Sequence, residues 1–173
     1  MIVGIPKEIK DNEKRVSLTP FGASELIKSG HSVIIENNAG LGSGFTNKKY
    51  INVGAEVVDN PENIFEKSDL IVKVKEPQDS EVDLIKENQL VFTFFHFAAD
   101  ESLTRSIIDS GCIAIAYETI LDSNGRLPIL VPMSEVAGRM SIQNGAKCLE
   151  GSMGGKGKLL GGIPGVKPAI VTI

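Results

Sequence analysis

The sequence predicts an α/β fold: a Rossmann-like, mostly parallel sheet flanked by helices, then the lead-in helix and first strand of an incomplete second domain. Three observations predict it. Short β-branched apolar runs alternate with helical patterns over residues 1–128, the signature of strands joined by crossover helices. Those runs are mostly apolar, as expected of strands covered on both faces. After about residue 126 the texture changes to a Pro-bounded connector, one long amphipathic helix and a glycine-rich loop. Residues 1–128 are therefore read as one domain, and residues 129–173 as an interdomain helix, a loop and the first strand of a second.

The elements follow in order. Ile2–Ile5 is the first strand and ends at Pro6. Thr19 can cap a helix with Pro20 at its first position, and Gly30 closes it. Ser32–Glu36 is the second strand, and further strands are expected at Glu56–Val58, Leu70–Val74, Leu90–Phe94 and Ile113–Tyr117. Between them helices are expected at 47–53, 61–67, 79–87 and 100–110, the last capped by Asp100 and ended by Gly111. Leu127–Pro132 is the connector, Ser134–Leu149 the long helix, and 151–165 a loop with seven glycines in fifteen residues. Ala169–Ile173 reads as a strand, which needs a hydrogen-bonded neighbour that these residues do not supply.

Composition narrows the function classes. The 173 residues are 42% hydrophobic and 23% charged, with a net charge of −4 and only 5% aromatics. Scattered Lys and Arg with few aromatics argue against a nucleic-acid partner. The start MIVGIPKEIK has no signal-peptide core, and no segment approaches the ~18 apolar residues of a membrane span. Cys112 and Cys148 stand apart without neighbouring ligands, so no metal site is expected and a reducing, cytoplasmic setting is.

Two glycine-rich stretches imitate cofactor motifs. AGLGSG at 39–44 follows a strand, but Phe45 stands where G-x-G-x-x-G requires its third glycine, so a turn is the better reading. The loop 151–165 has Lys156 and Lys158 but neither in a Walker A position, and it reads as a surface connector. Polar residues at strand ends carry more. Arg15 lies in the loop after the first strand, Lys73 and Lys75 alternate with Val72 and Val74 in LIVKVKEP, and His96 follows FTFF. Alternation places both lysines on one face. An arginine, a lysine and a histidine together suit an anionic carbonyl compound. The guanidinium clamps a carboxylate, the ammonium polarises a keto oxygen, and the imidazole carries a proton near neutral pH.

Taken together, GIPKEIKDNEKRVSLTP at 4–20, NAGLGSGF at 38–45, VKVKEP at 72–77, FHFAAD at 95–100, AIAYET at 114–119, PMSEVAGRMS at 132–141 and LLGGIPGV at 159–166 resemble the alanine dehydrogenase family, which includes the nicotinamide nucleotide transhydrogenase α subunit. His96 favours the dehydrogenase branch. The resemblance implies L-alanine and pyruvate as substrates, NAD as cofactor, and a homo-oligomer, hexameric in the family. It makes 1–128 the substrate-binding domain and 129–173 the beginning of an NAD-binding domain whose main motif lies beyond residue 173. By the same resemblance Arg15 and Lys75 bind substrate, and His96 is the catalytic acid/base. Met133 and Ser134 line the cofactor side of a cleft to which Glu118 also contributes. Phe94 stands where many members carry Tyr. The isolated chain is then expected to be catalytically incomplete. The alternatives are a non-catalytic carboxylate-binding or assembly module, and a transhydrogenase α-like domain.

Overall fold

The computed structural model describes residues 1–172, which form two compact units, Met1–Ile120 and a second beginning at Leu121. In the first unit six strands, β1 (Ile2–Ile5), β2 (Ser32–Glu36), β3 (Glu56–Val58), β4 (Leu70–Val72), β5 (Leu90–Thr93) and β6 (Ile113–Ala116), form one sheet in the order β3-β2-β1-β4-β5-β6. Every pairing is parallel. Helices α1 (Pro20–Lys28), α2 (Asn47–Ile51), α3 (Pro61–Lys67), α4 (Asp79–Val82) and α5 (Glu101–Asp109) connect the strands. This is the doubly wound α/β arrangement, and among the described residues no helix is long and apolar enough to cross a membrane.

Strand pleating explains why the core is double. Along β2, Val33 and Ile35 pack with Val3, Ile5, Ala23 and Tyr50, whereas Ile34 points the other way to Ile64, Phe65, Ile71 and Phe95. Successive side chains leave opposite faces of a strand, so a strand covered on both sides must be apolar at every position. The helix starts follow local chemistry. Thr19 Oγ1 accepts from the Gly22 N–H, Asn60 caps α3 through the Glu62 N–H, and Asp100 caps α5 through the Leu103 N–H.

Several elements are shorter than the apolar runs suggested. β4 stops at Val72 rather than Val74, β5 at Thr93 rather than Phe94, and β6 at Ala116 rather than Tyr117. Past the ends of β4 and β5 backbone bonds still join the two segments, Lys73 N–H to the Phe92 carbonyl and Phe94 N–H to the Val74 carbonyl, so hydrophobicity marks the run and not where the regular ladder ends. Helix α4 covers only the first turn of 79–87, because Leu84 and Ile85 bend back to pack on the core.

In the second unit, α6 runs Val131–Leu149 and so begins inside the stretch read as a connector. Pro at the second position of a helix costs no hydrogen bond, so Pro132 does not block this start. Residues 169–172 are not a strand; Ala169 N–H donates to the Leu160 carbonyl, an isolated contact and not a ladder. The expected strand fails among the described residues because a strand is defined by the neighbour it pairs with; Ile173 lies outside them.

Candidate functional site

The sheet order fixes where a ligand can sit. From β1 the chain winds outward through β2 and β3, then returns to β4 beside β1 and winds the opposite way. Connections diverge there and leave a crevice at the carboxyl ends of β1 and β4. The segments emerging into it are Pro6–Arg15 and Lys73–Gln78.

A buried carboxylate joins these two segments. Glu8 Oε1 accepts the Val74 N–H at 2.6 Å, and Oε2 accepts the Lys75 N–H and the Lys73 ammonium, both at 3.3 Å. Lys73 is fully buried and also donates to Glu81 Oε1 at 2.7 Å, while Glu81 Oε2 accepts the Gln78 N–H at 2.8 Å. Burial pushes the Glu8 carboxyl up, against the opposing pull of Lys73. A buried ammonium between two carboxylates, each also holding backbone N–H groups, ties loop 73–78 to the exit of β1. Thr93 Oγ1 adds a bond to the Lys75 carbonyl at 2.7 Å. The two lysines of VKVKEP thus have different surroundings: Lys73 is locked inside, whereas Lys75 is only half-buried.

Arg15 stands at the mouth of the crevice. A cavity of about 480 Å³ is lined by Lys7, Glu8, Glu13, Lys14, Arg15 and Asn38, among others. Glu13 receives the Arg15 Nε at 2.8 Å, its Nη2 at 2.6 Å and its backbone N–H at 2.9 Å. Those Arg15 bonds hold the Glu13 carboxyl down at about 2, and the nearby Lys75 charge adds to the effect. Arg15 and Lys75 therefore act on one and the same carboxylate.

His96 sits at the exit of β5 in a left-handed conformation, φ 54° and ψ 37°. Such backbone is uncommon for a residue with a Cβ and persists only when its surroundings hold it. Here Glu118, from the 3-10 turn after β6, accepts the His96 N–H at 2.7 Å. The two residues line a cavity of about 440 Å³ with Phe97, Ala99 and Thr119. The His96 ring stacks on Phe94, centroids 5.9 Å apart and planes 14° from parallel, and Phe94 meets Tyr117 edge-on at 4.9 Å. Burial, with the Glu8 charge adding, pushes the Tyr117 hydroxyl well above its ordinary range. Phe94 thus links the His96 ring to Tyr117.

The structure therefore ties the Arg15 guanidinium to Glu13 and holds the Lys75 backbone at Glu8. His96 lines its own depression with Glu118, connected through aromatic rings and not by direct contact. Met133 and Ser134 lie in the first turn of α6, exposed, in the second unit. Of the glycine-rich decoys, Gly40 and Gly42 are accounted for by packing. A Cβ on Gly40 would stand 2.8 Å from the Tyr50 ring, and one on Gly42 would stand 2.5 Å from the Lys14 carbonyl oxygen. Close packing thus explains why these two positions carry glycine. The loop after β1 contains no glycine at all, so the first unit has the winding of a dinucleotide-binding domain without its phosphate turn. Sequence reasoning picked out Lys73 as a companion of Lys75 and missed Glu8, Glu13, Glu81 and Tyr117 as parts of this arrangement. Its one available signal was three charged residues, Lys7, Glu8 and Lys10, crowded immediately after a buried strand.

A doubly wound parallel sheet with an arginine and a lysine at its switch point defines a Rossmann-like domain suited to a small anion. Residues 4–137 match the family described as alanine dehydrogenase/PNT, N-terminal domain, and the chain belongs to that family. It is 50% identical to the alanine dehydrogenase of Methanococcus maripaludis over 173 residues, all of this chain and 46% of that protein. It is 51% identical to the Bacillus subtilis alanine dehydrogenase over 174 residues, again all of this chain and 45% of the relative. Among solved structures, an L-alanine dehydrogenase superposes with a TM-score of 0.86 at 48% identity, covering 97% of this chain and 46% of that one. A transhydrogenase from Sinorhizobium meliloti gives 0.65 at 28% identity, over 69% of this chain and 36% of its own. The chain thus corresponds to the N-terminal part of alanine dehydrogenases and spans just under half the length of these relatives.

Proposed function

We propose that this chain is the substrate-binding half of an NAD-dependent L-alanine dehydrogenase, which converts L-alanine, NAD⁺ and water to pyruvate, ammonium, NADH and a proton. The observation that supports it most is the pairing of half-identity to alanine dehydrogenases along the whole chain with Arg15 and Lys75 carried on the two segments that leave β1 and β4 at the sheet switch point. In this reading Arg15 takes the substrate carboxylate, and Lys75 hydrogen-bonds the oxygen or nitrogen on the adjacent carbon. His96 moves the proton when water adds to the imine and when ammonia leaves. Hydride acceptance belongs to NAD. The first unit has no turn that fits the dinucleotide, so it is expected to bind where the rest of a full-length enzyme is built, with Met133 and Ser134 on its side of the cleft. Residues 1–128 are the substrate domain and residues 129 onward the approach to the cofactor domain. The whole enzyme is taken to be a cytoplasmic homo-oligomer.

The test compares the full-length enzyme carrying this chain with its Arg15→Ala and His96→Ala variants, following alanine-dependent NADH formation. Arg15→Ala should raise KM for L-alanine at least tenfold, the value of a lost charge-assisted pair. His96→Ala should depress kcat by about 10²–10⁴, the usual contribution of a positioned acid/base. The isolated 173-residue chain should bind pyruvate and reduce no NAD⁺. Wild-type kinetics in both variants would end the assignment of the site.

A further inference from the structure

The bidentate contact between Glu13 and Arg15 has two possible meanings. Glu13 could be a plug, an internal carboxylate that occupies the guanidinium until a substrate carboxylate displaces it. It could instead be a clamp that holds the guanidinium in one orientation. Three observations decide between them. The Glu13 side chain is only 7% exposed, while that of Arg15 is 48% exposed, so the carboxylate is the anchored partner and the arginine is the one needing restraint. Glu13 also accepts the Arg15 backbone N–H, so its withdrawal would strip three hydrogen bonds at once. Finally, Glu13 engages the Nε–Nη2 side of the fork, whereas the Nη1 nitrogen makes no hydrogen bond or ion pair among the described residues.

We infer that Glu13 is a positioning residue, which grips the inner edge of the Arg15 guanidinium so that its outer edge, Nη1 and Nη2, faces the crevice ready to bind a carboxylate. The inference rests on the substrate role proposed for Arg15. A planar guanidinium can serve two carboxylates on two edges of fixed relative orientation, whereas an ammonium imposes no such edges. Restraining it beforehand removes the rotamer freedom that a half-exposed arginine would otherwise lose on binding. The device predicts selection for compounds with one carboxylate at the reacting end.

The experiment uses the full-length enzyme carrying this chain, with wild type, Glu13→Gln, Glu13→Asp and Arg15→Ala compared for L-alanine KM and kcat. Glu13→Gln weakens the grip. Glu13→Asp keeps the charge but falls short of the side-on pair, and it serves as the second variant if the first does not fold. Both should raise KM about tenfold, the worth of one charge-assisted hydrogen bond, with kcat within about twofold. The Arg15 Nε–H resonance should be resolved in wild type and lost to solvent exchange in both variants. A lowered KM in Glu13→Gln would show a plug and overturn the inference, as would an unchanged KM in both variants. If Arg15→Ala itself leaves KM unchanged, the substrate role of Arg15 fails, and the positioning role with it.

Discussion

The two units of this chain obey the same local rules and end with opposite interiors. Met1–Ile120 contains every buried hydrophobic residue of the described chain, from Val3 to Ala116. The unit from Leu121 contains none, and no residue of the 19-residue helix α6 is buried. Yet α6 is the longest helix in the protein and carries Val136, Met140 and Ile142 exposed on its surface. A helix owes most of its stability in water to the packing of an apolar stripe and little to propensity. The comparison teaches that a chain can specify an element without specifying what holds it.

The largest effect should appear in hydrogen exchange by the dilute 173-residue chain. Amides of Ile71 and Val91, in fully buried strands, should exchange only on global opening, which typically costs about 5–15 kcal/mol. Those of Met140 and Ile142 should exchange near the rate of free peptide. Equal protection in the two sets would show that the second unit has found a partner, and would dissolve the contrast. A smaller effect tests what makes the first unit specific as well as stable. Lys73→Met should destabilise it by about 3–5 kcal/mol in denaturant melts, because Glu8 and Glu81 are left buried without their shared cation. A loss below about 1 kcal/mol would mean that the network contributes little and that the apolar layers alone hold loop 73–78.

The smallest effect concerns the crevice mouth. The Glu13 carboxyl lies below its ordinary value, so the folded state holds its proton less tightly than the unfolded chain does. Its stabilising contribution is therefore present above pH 4.5 and is lost as pH falls from there toward about 2. The stability gap between wild type and Glu13→Gln should shrink across that window by no more than about 1 kcal/mol, since the arginine is half-exposed. A gap independent of pH would place the Glu13 contribution in packing and not in its charge.

Much of the first unit was legible because its central strands are covered on both faces. Ile2–Ile5 and Ser32–Glu36 were placed to the residue, since a continuous apolar run bounded by Pro6 or by Asn37 and Asn38 has few other readings. The caps Thr19 and Asp100 were legible for a similar reason, because a side-chain oxygen beside free amides is a local event. Strand ends were less so. Lys73 looked like the twin of Lys75, and only the approach of Glu8 and Glu81, 65 and 8 residues away, separates a locked structural ammonium from an accessible one. Beyond the crowding of Lys7, Glu8 and Lys10 after a buried strand, nothing marked Glu8 or Glu13, because a glutamate in a charged loop looks like any solvated residue until its partners are placed.

By itself the sequence determined the alternation of strands and helices, the apolar character of both sheet faces, and the positions of Arg15, Lys75 and His96 at strand exits. These are matters of residue type and short-range spacing, carried by the chain wherever it goes. Only the tertiary structure decided the strand order that opens a crevice between β1 and β4, the burial of Lys73, the grip of Glu13 on Arg15 and the left-handed turn at His96. Each of these depends on groups brought together across the fold or on a backbone path that residue type does not fix. Charge and hydrogen-bond energies are set by distance and by exclusion of water, and neither exists until the layers close.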